Sequence, residues 1–169
     1  DPAVARAFEA ALRRLSDAGA TIEEIALPEL AEIPVANARG GFAAAESWAW
    51  HAPLITRARA LYDPRVLERI ERGSAMTAAE YQEVTAERAR IIAAAAARTE
   101  GFDAFLAPTC PMLPPALSEI GHPDDYARIN HLLLRNPAVG NFLDRCSISL
   151  PCHAPGEAPV GLMLTGATM

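Results

Sequence analysis

Lysine is missing altogether: the 15 basic residues of this 169-residue sequence are all arginine. Chemistry that needs a lysine amine, as base or covalent partner, is therefore excluded from this chain. Against 21 acidic residues the formal net charge is -6, which argues against a nucleic-acid surface held by counterion release. Cysteine is scarce, with Cys110, Cys146 and Cys152 the full set, too few and odd in number for a disulfide framework. That usage suits a reducing compartment, and a cytoplasmic location is expected. No apolar run approaches the roughly 20 residues of a membrane helix, so no membrane partner is expected. The ten glycines assemble neither a phosphate-binding loop nor a dinucleotide fingerprint, and no cofactor is expected.

What is present is 51% hydrophobic and 21% charged with a mean hydropathy of +0.09, enough to bury a core. Asp1 and Pro2 form an N-cap and first-turn proline, and Val4, Phe8, Ala11, Leu12 and Leu15 share a helical face that Gly19 ends. Thr21 to Leu27 reads as an edge strand. Val35 to Ala49 is Ala-rich and helical in pattern, with Gly40-Gly41 as its weak point. Asp63-Pro64 repeats the cap signal for a short helix closed by Gly73. Thr77 and Glu80 are spaced as a capping box for a long helix over about Ala78 to Arg98. Phe102 to Pro108 reads as a buried strand leaving into a loop with four prolines between Pro108 and Pro115. A helix is expected from Asp124 to Arg135, broken by Asn136-Pro137. Cys146 to Leu150 and Val160 to Thr165 read as two more strands. The order predicts an α/β fold, a partial mixed sheet covered by helices and forming a single incomplete domain over 1–169. The sheet expects more strands from elsewhere. Asp1 in place of Met, and Met169 directly after a strand-like run, read as two cut ends.

Several residue sets invite a chemical reading. Cys146, Cys152, His153 and His122 fit no structural zinc spacing, so buried thiols are the simpler account and no metal is expected. Cys110 with His153 or His131 would suit a thiol hydrolase, yet no helix start follows Cys110 to lower its pKa. The carboxylate pairs Glu23-Glu24, Glu68-Glu71 and Asp124-Asp125 fall on solvated edges. Trp48 and Trp50, beside His51, suit either core volume or a substrate channel. Asn141 and Asp144 stand in a turn that delivers polar groups to the mouth of a strand, where open α/β sheets bind ligands. Capping of backbone groups is the competing account of both.

Three segments in order resemble the C-terminal part of the amidase signature family. These are Phe102 to Pro111, an apolar strand ending in Pro-Thr-x-Pro; Asn141 to Pro151; and the closing Pro-Val-Gly-Leu-x-Leu-x-Gly run at Pro159 to Gly166. Ala18 to Pro28 also fits the family's helix, Gly-Ala and strand ending in Leu-Pro. The wording Asn-Phe-Leu-Asp-Arg-Cys is closer to the amidase and allophanate-hydrolase branches than to the tRNA-dependent amidotransferase subunit. The resemblance implies an α/β/α sandwich and hydrolysis of a carboxamide C–N bond by a serine, relayed through a second serine in a cis peptide to a lysine. Neither that lysine nor a Gly/Ser-rich loop is in this sequence. The implied role is therefore one wall of a pocket for a small-molecule amide, completed by an N-terminal catalytic half. Thr109, Cys110, Asn141 and Asp144 are the residues the family layout assigns to that wall, with no catalytic residue among them. Open sheet edges would favour self-association. The other classes are a standalone interaction module and a cysteine hydrolase.

Overall fold

Capping chemistry sets where the helices begin, and strand pairing sets where the site lies. The computed structural model describes residues 1–167. The chain divides into two units, one of Asp1–Leu27 with the chain from Ala96 onward, the other of Pro28–Ala95.

In the first unit, α1 (Pro2–Asp17) starts where the Ala3 N–H donates to Asp1 Oδ1 at 2.8 Å. Its buried Val4 and Ala11 pack with Cys152, Val160 and Leu162. Three strands follow much later: β1 (Phe105–Pro108), β2 (Ser147–Pro151) and β3 (Gly161–Thr165). They are ordered β1-β3-β2, with Pro108 and Leu150 both opposite Leu162, and Phe105 and Ser147 both opposite Thr165. β1 and β2 thus run in one direction on either side of β3, and their exits share one end of the sheet. Helices and sheet together make the α/β class expected. Both pairings are antiparallel, so among the described residues no parallel pair makes the sheet mixed.

Two expectations are corrected here. Thr21 to Leu27 has no regular secondary structure, and Ile22 is 39% exposed. A short apolar pattern makes a strand only with a neighbour to pair with, and this one has none among the described residues. The helix expected to stop at Asn136-Pro137 runs on as α6 (Pro123–Phe142). Pro137 cannot donate to the Leu133 carbonyl four residues back, the usual reason for a break. That carbonyl instead accepts from the Cys110 thiol at 3.5 Å, and the Asn136 side-chain amide donates to the Pro108 carbonyl at 2.6 Å. The dipeptide that reads as a breaker is where α6 docks on the exit of β1.

In the second unit, α2 (Ile33–Ala36) and α3 (Gly41–Ala58) are separated at Gly40 and Gly41, with φ of 99° and 61°. The Ala-rich run is therefore two helices, divided at the glycine pair. α4 (Pro64–Glu71) begins at the Asp63 cap, and Gly73 lies so close to α3 that a Cβ would stand 2.0 Å from the Ala44 carbonyl oxygen. Trp48 packs against Ile55, Leu67 and Ile70, whereas Trp50 is 75% exposed. His51 Nδ1 lies 2.8 Å from the Tyr62 hydroxyl. The capping box is formed at α5 (Ala78–Arg98): Thr77 N–H donates to Glu80 Oε2 at 2.8 Å, and Glu80 N–H to Thr77 Oγ1 at 3.2 Å.

Candidate functional site

The site is built where β1 and β2 leave the sheet. Pro108 has no N–H to give, and the ladder is carried one residue further by the Thr109 N–H donating to the Gly161 carbonyl at 2.8 Å. This fixes Thr109 beside β3, where its Oγ1 reaches across Gly161 to lie 2.5 Å from Ser149 Oγ on β2. Glycine leaves room for the pair, because a Cβ on Gly161 would lie 2.5 Å from Ser149 Oγ and 2.6 Å from Thr109 Oγ1 and would have to displace them. A cavity of about 380 Å³ opens over these groups, lined also by Cys110, Leu133, Pro115 and His153. Among the described residues no Asp, Glu or Arg lines it.

Cys110 is a donor in this setting. Burial raises its thiol pKa, and its hydrogen is directed to the Leu133 carbonyl. His153 Nδ1 lies 3.2 Å from the Val160 nitrogen and 3.3 Å from the Val160 carbonyl oxygen, which ties the ring to that backbone. No hydrogen bond joins Cys110 to His153 or His131 among the described residues. A thiolate nucleophile needs the opposite environment, so the geometry speaks against the cysteine-hydrolase reading.

Asn141 and Asp144 stand elsewhere. The last turn of α6 closes with Leu143 N–H on the Val139 carbonyl at 2.9 Å and Asp144 N–H on the Asn141 carbonyl at 3.4 Å. Asp144 has φ 56°, the left-handed conformation that often follows a helix end. This turn leads into Ser147, which like Phe105 is opposite Thr165, at the far end of the sheet from Thr109. The structure therefore brings Thr109 and Cys110 into one cavity and does not bring Asn141 or Asp144 to it. Sequence reasoning missed Ser149, Gly161 and Asn136. Alternation along β2 marks Ser149 as one face of a strand, but only the register shows that Thr109 faces it.

A helix-covered sheet with a neutral hydroxyl pair and a Pro-rich rim at its strand exits defines an α/β protein with a pocket suited to an uncharged polar group. The chain belongs to the Amidase family, whose profile matches residues 1–169. It is 35% identical over 167 residues to a 2-amino-5-chloromuconic acid deaminase of Comamonas testosteroni, covering 98% of this chain and 36% of that protein. It is 28% identical over 156 residues to an amidase of Pseudomonas putida, covering 90% of this chain and 33% of that protein. In fold, the K. lactis urea amidolyase structure matches with a TM-score of 0.86 over 98% of this chain and 10% of that one, at 20% identity. The chain thus spans about a third of the length of these two curated relatives.

Proposed function

We propose that this chain is one part of an amide C–N bond hydrolase whose lysine-bearing catalytic half lies in polypeptide outside these residues. The observation that carries the reading is the Amidase match along the whole chain, combined with a span of about a third of its relatives. In this reading the chain contributes strands, covering helices and one wall of the pocket for a small-molecule amide. Thr109, with Ser149 beside it, orients the substrate, since a hydroxyl can both donate to a carboxamide oxygen and accept from its NH₂. Cys110 holds the wall to α6. Asn141 and Asp144 shape the α6–β2 turn. Three free thiols support a reducing compartment such as the cytoplasm. Homo-oligomerisation through the sheet edges is part of the same proposal.

The test is amide turnover by the intact protein and by residues 1–169 alone. Hydrolysis of a simple aliphatic or aromatic amide is expected from the first and not the second. Thr109→Val in the intact protein is expected to reduce kcat/KM by roughly tenfold, the scale of one lost hydrogen bond. Turnover by residues 1–169 alone would refute the division of labour. An intact protein inert toward amides would favour the interaction-module reading.

A further inference from the structure

We infer that the end of the sheet opposite the hydroxyl pair carries a carboxylate-binding site centred on Arg145. The inference does not rest on the proposed function. A cavity of about 440 Å³ lies there, between the turn after α5 and the end of β3, with Phe102, Phe105, Thr99, Gly166 and Arg145 on its walls. That volume falls in the range of roughly 300–1,000 Å³ typical of small-molecule pockets. Arg145 is half-buried, and its guanidinium stacks 5.6 Å from the centre of the Phe105 ring. One Nη2–H donates to Thr99 Oγ1 at 2.6 Å. A guanidinium carries five N–H donors in a planar fork matched to a carboxylate. No carboxylate pairs with Arg145 among the described residues, although Glu100 lines the same cavity.

Five of the other arginines provide the contrast. Arg39, Arg59, Arg72, Arg90 and Arg128 all hold carboxylates at the surface, where such pairs stabilise little. Arg145, which burial has already partly stripped of water, rests on a ring and a hydroxyl. Desolvation pulls its pKa down, the direction expected for a cation lacking its counter-charge. An apolar, aromatic wall beside one forked cation suits a small carboxylate attached to an apolar body. That carboxylate has two possible sources, a free ligand or a side chain of the protein's own polypeptide outside residues 1–167.

The experiment uses the intact protein with ¹⁵N-labelled arginine, benzoate as probe and benzamide as its uncharged counterpart. The Arg145 Nε–Hε signal is assigned by its loss in Arg145→Lys. For a free ligand, the signal exchanges fast with water, then sharpens and shifts to saturation with benzoate. Benzamide should bind roughly tenfold more weakly or worse, and Arg145→Gln should abolish calorimetric binding of benzoate. For an internal carboxylate, the signal is sharp and protected before any addition, benzoate does not bind, and Glu100→Gln leaves the signal unchanged. Either result supports the site and tells its source. Fast exchange at saturating benzoate, equal binding of benzoate and benzamide, or loss of protection in Glu100→Gln would overturn it. The signal is read in the unaltered protein, and Arg145→Lys and Arg145→Gln each assign it, so the test survives failure of either variant to fold.

Discussion

Gly161 gives the sharpest residue-scale expectation. A methyl group there meets both hydroxyls of the Thr109–Ser149 pair, so Gly161→Ala must displace these side chains and break their hydrogen bond. A loss of about 1–3 kcal/mol in chemical denaturation is expected, the scale of overpacking a fitted site. The three thiols should also separate by reactivity. Cys146 is exposed, whereas burial raises the pKa of Cys110 and of Cys152 and so lowers their thiolate content. Alkylation followed by mass spectrometry should label Cys146 first. The same shifts link stability to pH. The folded chain keeps both protons where the unfolded chain has lost them, so stability is intact below the ordinary thiol range. It then falls as pH climbs through that range toward the raised values. Denaturation midpoints followed from neutral to about pH 10 should decline, and the decline should shrink in a Cys152→Ala background.

At the scale of elements, α6 tests how a helix passes through a proline. Cys110→Ala removes the donor from the Leu133 carbonyl and should cost about 1 kcal/mol. Pro137→Ala restores the helix's own N–H to that carbonyl, so the cost of Cys110→Ala should largely vanish in the Pro137→Ala background. A coupling of about 0.5–1 kcal/mol in the double-mutant cycle is expected, and strict additivity would show that the thiol is irrelevant to the helix. The same helix shows what could be read from sequence. The caps at Asp1, Asp63 and Thr77/Glu80 are local chemistry, and each appears where the pattern places it. The fate of Asn136-Pro137 is not local, because it depends on a donor 27 residues earlier in the chain (137 minus 110). Thr21 to Leu27 fails for the complementary reason, a strand pattern with no neighbour to complete it. In the pocket, the Pro-rich loop made Thr109 and Cys110 legible. Ser149 and Gly161 needed the register.

For the whole molecule, the decisive feature is the open sheet. β2 is exposed along its length, with Ile148 58% and Leu150 45% exposed, and among the described residues only β3 pairs with it. Unpaired apolar edges recruit other strands. Residues 1–169 alone are therefore expected to self-associate in light scattering, and Ile148→Lys should reduce that association. A monodisperse monomer at high concentration would contradict this.

The first unit is also assembled from both ends of the sequence, with Pro28–Ala95 spliced between its parts. The apolar stripe of α1 leaves the ribosome about 150 residues ahead of Val160 and Leu162, a wait of roughly 7–30 s at ordinary elongation rates. Leu106 and Leu113, which pack against the same cluster, emerge earlier, and only with β3 is the native surface for the stripe complete.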